Sequence, residues 1–80
     1  MAGLLYVGTH GPDDPTKACI PFHLAVNGAA EAGIDTEINL VGDAAVLIQD
    51  RYIESLMPLG LPPLRELMEK IREKGIRIHI

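Results

Sequence analysis

The sequence predicts a small α/β domain in the order strand, helix, strand, helix, strand. Three observations predict it. The apolar run at 3–9 is typical of a strand buried on both faces. Residues 35–41 and 76–80 alternate between polar and apolar, as half-buried strands do. Between Leu64 and Ile71, apolar residues recur at helical spacing. Since crossovers between parallel strands are right-handed, the three strands are expected to lie parallel in one sheet.

The first helix is predicted to begin at Pro15, with Asp14 as its N-cap. It is expected to run to about Ala32 and to stop at Gly33. Pro21 lies inside the helix and is expected to kink it, because proline removes one backbone hydrogen bond. Apolar residues spread around much of this helix, which predicts burial on more than one side.

The second half of the chain begins with a turn after the second strand. Asp43 is predicted to cap a short helix through 44–48, and residues 49–57 fit no single element. The connection Met57–Pro63 is rich in proline and glycine and apolar enough either to pack down or to contact a partner. The last helix is expected to stop at Gly75.

Composition excludes several classes of function. The chain has 80 residues, so it forms at most one domain, and its formal charge of −4 and single Phe argue against nucleic acid as a partner. With 48% hydrophobic residues in so short a chain, a homo-oligomer is expected. One cysteine fits a reducing compartment, and no apolar run is long enough for a membrane span, which predicts a cytoplasmic protein that does not bind membranes.

Parallel strands end at the same edge of a sheet, where open α/β folds bind ligands. The candidate ligand-binding residues are those that follow the first two strands: Thr9, His10, Gly11, Asp14, Gly42 and Asp43. The first loop lacks the lysine of a P-loop and the third glycine of a dinucleotide site, and Asp13 beside it would repel phosphate. The alternative is a tight turn whose glycines serve only backbone geometry, with Asp43 acting only as a cap.

Cys19 and His23 are spaced i, i+4 on the first helix, where a Cys–His pair can form a reactive thiolate. The alternative is a packed, inert cysteine, since cysteine is among the most buried residue types. No metal site and no cofactor are predicted. His79, on the last strand, is expected to face solvent or a neighbouring subunit rather than a substrate.

Four segments in order resemble one known family. The residues are Gly8 to Ala18, Pro21 to Ala25, Leu40 to Ala44, and Gly60 to Leu67. Together they span essentially the whole chain and resemble DsrE/DsrF-like proteins, a family that also includes the YchN-like and Tus sulfur-relay subunits. The resemblance implies a three-layer α/β sandwich, with a mostly parallel sheet and helices on both faces, assembled as trimers or hexamers.

The resemblance also implies sulfur handling. In the sulfur-oxidation and tRNA-thiolation branches, a cysteine after the strand that corresponds to Ile76–Ile80 carries persulfide sulfur, at the sheet edge beside the first loop. This sequence stops at Ile80, and Cys19 does not match that position. The expected domain, residues 1–80, therefore lacks the C-terminal part of the family's pattern.

Three functions follow as hypotheses. The first is an intracellular sulfur-relay protein that carries persulfide and meets other sulfur-relay proteins, with its working thiol outside the sequence. The second is a non-catalytic, oligomeric module of the same fold that binds a small ligand or anion. The third is a thiol enzyme that uses Cys19 and His23. Whether the chain is an enzyme is left open by the sequence.

Overall fold

The computed structural model describes residues 3–80 as a three-stranded parallel sheet. Strand β1 is Leu4–Gly8, β2 is Thr36–Leu40 and β3 is Arg77–His79. Their order in the sheet follows their order in the chain, with β2 in the middle. The α/β class and the βαβαβ-like order predicted from the sequence are therefore confirmed.

Helix α1, Pro15–Leu24, continues into a π-helical segment at Ala25–Ala29, and a left-handed Gly33 follows (φ +75°). The predicted extent is thus close to the observed one, although the backbone widens after Leu24. The N-cap is confirmed, because the side chain of Asp14 accepts a hydrogen bond from the Lys17 N–H at 3.1 Å.

This cap predicts the outcome of a simple substitution. Asp14→Ala is expected to lower the free energy of unfolding by about 1 kcal/mol, because it leaves a backbone N–H of the first turn without its acceptor. Asp13→Ala, one residue earlier and exposed, is the matched control and is expected to change stability little. Urea denaturation of both variants measures the difference, and equal losses would contradict the assigned cap.

The segment after β2 differs from the prediction. It forms a 3₁₀ helix at Gly42–Ile48, which begins after the extended residue Val41 and has no side-chain cap. The predicted cap at Asp43 is therefore wrong, because Asp43 lies inside the first turn rather than before it. The unassigned residues that follow form helix α2, Asp50–Ser55.

Helix α3, Leu64–Lys74, confirms the predicted amphipathic helix. Its apolar positions Leu64, Leu67 and Ile71 are buried in the core. Gly75 ends it in the left-handed conformation at φ +67°, as predicted, and the Gly75 N–H donates to the carbonyl of Arg72.

The core lies between the helices and one face of the sheet. Ile38 and Leu40 of β2 are fully buried there, in one cluster with Phe22 of α1 and Leu67 of α3. Gly8 at the end of β1 allows a close approach of Leu40, since a methyl group built on this glycine would lie 3.0 Å from the Leu40 Cδ2 atom.

The opposite face of the sheet is open. Leu5 and Val7 of β1 are 57% and 53% exposed, so the prediction that β1 is buried on both faces is wrong. Two right-handed crossovers in the order β1-β2-β3 place their helices on the same side of a sheet. For this reason the helices of residues 3–80 cover one face, whereas the resemblance implied helices on both.

None of the helices in the described part of the chain is long and apolar enough to cross a membrane.

Candidate functional site

The loops that follow β1 and β2 meet at the carboxyl edge of the sheet. The Val41 N–H donates to the Gly8 carbonyl at 3.0 Å, which extends the pairing of the two strands into the loops. Gly11 is buried, and a methyl group built on it would lie 2.8 Å from the Asp43 carbonyl oxygen. The two loops are therefore in van der Waals contact, and the structure brings together the two sets of candidate residues. We call this contact the loop edge, residues 9–14 and 42–43.

The first loop is held by its own hydrogen bonds. The Asp14 N–H donates to the Gly11 carbonyl at 3.1 Å, and this turn directs the chain into α1. Thr9 and His10 are exposed, with 3.2 Å between the Thr9 Oγ1 and His10 Nδ1 atoms. A hydroxyl and an imidazole thus lie at the surface beside a backbone that leaves no room for a side chain at Gly11.

The charges at the loop edge are mainly negative. Asp13 and Asp43 are exposed, and Asp14 is half-buried and already holds the start of α1. Lys17 and His10 are the nearby basic side chains. Because carboxylates repel anions, this arrangement disfavours phosphate and other multiply charged anions. It suits a small ligand that is neutral or singly charged and that forms hydrogen bonds.

The end of β3 is not beside the first loop. Strand β2 lies between β1 and β3, so His79 is the neighbour of Asn39, and the loop that follows β2 is the closer one. Two strand spacings, about 9–10 Å, separate the ends of β1 and β3. The position that the resemblance implied for a sulfur-carrying cysteine therefore adjoins Gly42 and Asp43 rather than Thr9.

Cys19 of α1 is fully buried and belongs to the apolar core. Burial raises the pKa of its thiol to about 11, because the thiolate loses its solvation. His23 bonds elsewhere, with its Nδ1 atom 3.1 Å from the Asn27 Nδ2. These observations favour the packed, inert interpretation of Cys19 over the reactive one.

The burial of Cys19 predicts slow alkylation. At pH 7 only about one thiol in 10⁴ is ionised when the pKa is about 11. Iodoacetamide is therefore expected to modify the folded protein very slowly and the urea-unfolded protein rapidly, as mass spectrometry of the intact protein measures. Modification of Cys19 in the folded protein at the rate of the unfolded chain would contradict this.

One polar network was missed by the sequence reasoning. Lys70 of α3 donates from Nζ to the Asn27 Oδ1 at 3.1 Å, and Asn27 in turn bonds to His23. The i, i+4 spacing of His23 and Asn27 was visible in the sequence, but their link to Lys70 depends on how α3 packs. Within residues 3–80, no group of three His, Cys, Asp or Glu residues is placed to hold a metal ion.

Comparison with protein-family models, with curated proteins and with solved structures gives no match to this chain. The fold and the loop edge are therefore the observations on which a functional proposal depends.

Proposed function

We propose that this chain is a non-catalytic, homo-oligomeric module that binds a small ligand at the loop edge. The observation that carries the proposal is the contact of Gly11 with Asp43, which joins the loops after two parallel strands. In open α/β sheets ligands bind outside the carboxyl ends of the strands, and these two loops lie at that end of the sheet. The exposed Thr9 hydroxyl and His10 imidazole supply the hydrogen-bonding groups.

The state of Cys19 supports a binding role over a catalytic one. It is the chain's single cysteine, and it lies in the apolar core with a raised thiol pKa. A persulfide carrier needs a thiolate that can reach the sulfur of another protein. In this fold the Cys19 thiol has a raised pKa and is buried, so it supplies little thiolate and another protein cannot reach it.

Two further features belong to the proposal. The open sheet face and the 48% hydrophobic content support self-association. The single cysteine fits a reducing compartment, and we place the module in the cytoplasm.

Sulfur uptake tests the non-catalytic assignment. The folded protein is incubated with sodium polysulfide at neutral pH, and its intact mass is then measured. We expect no added sulfur on the folded chain and added sulfur on the urea-unfolded chain, where Cys19 is accessible. The Cys19→Ala variant is the control and should gain none in either state. Uptake by the folded wild type would overturn the assignment.

The second proposal is a DsrE-like sulfur-relay protein that meets other sulfur-relay proteins and uses a thiol other than Cys19. Its support is the position of two of the segments that resemble the DsrE/DsrF-like family. The first loop and Gly42–Asp43 meet at one edge of the sheet. That edge adjoins the end of β3, where the resemblance implies the working cysteine.

A matched pair of anions tests the sulfur-relay proposal. Hydrosulfide and chloride carry the same charge, so a site adapted to sulfur should distinguish them. Shifts in the amide NMR signals of the loop edge with hydrosulfide, and none with chloride, are expected for a sulfur-relay protein. Equal responses to both ions would contradict it.

A further inference from the structure

We propose that a cavity at the amino edge of the sheet binds a free amino acid with an apolar side chain. The cavity lies where the three strands begin, at the opposite end of the sheet from the loop edge, so this site goes beyond the proposed function. The five side chains that form it, which we call the amino-edge site, are Leu5, Asp35, Glu37, Arg77 and His79.

The strand register places the charged side chains of this site on one face of the sheet. Glu37 is paired with Arg77 across β2 and β3. The Leu4 N–H donates to the Asp35 carbonyl at 2.9 Å, so Asp35 continues the pairing of β1 with β2 by one residue. Because Asp35 comes two residues before Glu37, it lies on the same face. The cavity that these residues line has a volume of about 640 Å³, within the range of ~300–1,000 Å³ typical of small-molecule sites.

Two opposite charges line this cavity without neutralising each other. Within residues 3–80, neither the Asp35 carboxylate nor the Arg77 guanidinium forms an ion pair. Their Cα atoms are about 8 Å apart, two residues along the sheet and one strand across it. An amino acid spans such a gap, because its ammonium and carboxylate groups are about 3 Å apart and each adds a hydrogen bond of about 2.8 Å.

Glu37 leaves Arg77 available to a ligand because Glu37 is bonded to another side chain. The His79 Nε2 atom lies within hydrogen-bond distance of the Glu37 Oε1 atom. This hydrogen bond lowers the pKa of Glu37, and the charge of Arg77 acts in the same direction, as expected for a guanidinium beside the carboxylate. The planar guanidinium can therefore bind a ligand carboxylate with two parallel hydrogen bonds.

Leu5 supplies the apolar contact of the site. Its side chain is 57% exposed and lines the same cavity as the charged residues. A bound amino acid would place its carboxylate on Arg77, its ammonium on Asp35 and its side chain on Leu5. Acetate and methylammonium would each make only one of these three contacts, so the site should distinguish an apolar amino acid from either ion.

Amide NMR of the wild-type chain tests the site, with L-leucine as the probe. We expect saturable shifts at residues 35–37 and 77–79, because β2 and β3 carry the charged contacts. Acetate and methylammonium, which each carry one charge of the zwitterion, should give no saturable shift there. Glycine has both charges but no apolar side chain, and it should bind severalfold more weakly than leucine.

Two substitutions assign each charge to its partner. Arg77→Gln should weaken leucine binding by about fivefold, the size expected for an exposed charged contact, and should leave the binding of leucinamide, which lacks the carboxylate, unchanged. Asp35→Asn should weaken leucine binding by a similar factor and leave the binding of N-acetylleucine, which lacks the ammonium, unchanged. The matched controls are Arg72→Gln and Asp50→Asn, which are exposed and outside the cavity and should bind leucine as the wild type does.

Since the four substituted residues are exposed, the variants should keep the wild-type circular dichroism spectrum and melting temperature. Four results would overturn the inference: no saturable shift up to the solubility limit of leucine, leucine shifts at the loop edge instead, glycine that binds as tightly as leucine, and an Arg77→Gln variant that loses leucine and leucinamide equally. The first and the last two of these results leave the proposed ligand site at the loop edge untouched, because that site is followed at residues 9–14 and 42–43.

Discussion

Phe22→Ala is expected to unfold much of the protein at room temperature. Phe22 of α1 is fully buried in a core that also includes side chains of β2 and α3. Removing a buried phenylalanine side chain costs about 3–5 kcal/mol, the lost burial plus the cavity it leaves. Small domains have about 5–15 kcal/mol in total, and an 80-residue chain lies near the lower end of that range.

Leu24→Ala is the matched control for this prediction. Leu24 ends the same helix but is 42% exposed, so its truncation removes less buried surface and leaves no cavity. We expect a loss below about 1 kcal/mol. Urea denaturation followed by circular dichroism compares the two variants. Similar losses from both would contradict the assigned core.

Gly11→Ala is expected to separate the two loops of the loop edge. The new methyl group would lie 2.8 Å from the Asp43 carbonyl oxygen and 3.1 Å from its Cβ, so one loop must move. Overpacking of this kind costs about 1–3 kcal/mol. Because backbone rather than a flexible side chain is in the way, the change should also alter the amide NMR signals of Gly42 and Asp43.

Gly28→Ala is the control, since a methyl group built on Gly28 contacts nothing within 4 Å. Alanine there lies in a helical segment and is expected to be neutral or to stabilise the protein by up to about 1 kcal/mol. If Gly11→Ala were as stable as Gly28→Ala, with unchanged signals at Gly42 and Asp43, the contact between the loops would be absent.

Local signals in the sequence were sufficient for much of the fold. Asp14 before Pro15 and Gly75 after α3 are short-range features, and both act in the structure as predicted. Asp43 shows the limit of such signals. The 3₁₀ helix begins at Gly42, one residue before Asp43. Asp43 is a residue type that often caps helices, but here Val41 occupies the cap position.

The residue pattern of β1 alone could not show whether both of its faces are covered. An unbroken apolar run is typical of a strand covered on both faces, but coverage depends on where the crossover helices pack. Here both crossovers lie on one side, which leaves Leu5 and Val7 exposed.

The candidate site was predictable in part. The rule that parallel strands end at one edge correctly placed the first loop beside Gly42 and Asp43. The sequence allowed Cys19 to be either a packed, inert residue or a reactive thiol. Its burial in the structure depends on how α1 packs, which the sequence pattern does not show. The position of β3 depended on strand order, which the sequence pattern leaves open.

The central claim is that the loop edge binds a small ligand, and amide NMR of the wild-type chain tests it most directly. Acetate, a singly charged probe, and acetamide, its neutral analogue, are titrated at neutral pH, with chloride as the control for charge alone. The account predicts saturable shifts at residues 9–14 and 42–43 with at least one of the two probes and none with chloride. Shifts that are absent with both probes, or that fall outside the loop edge, would contradict it.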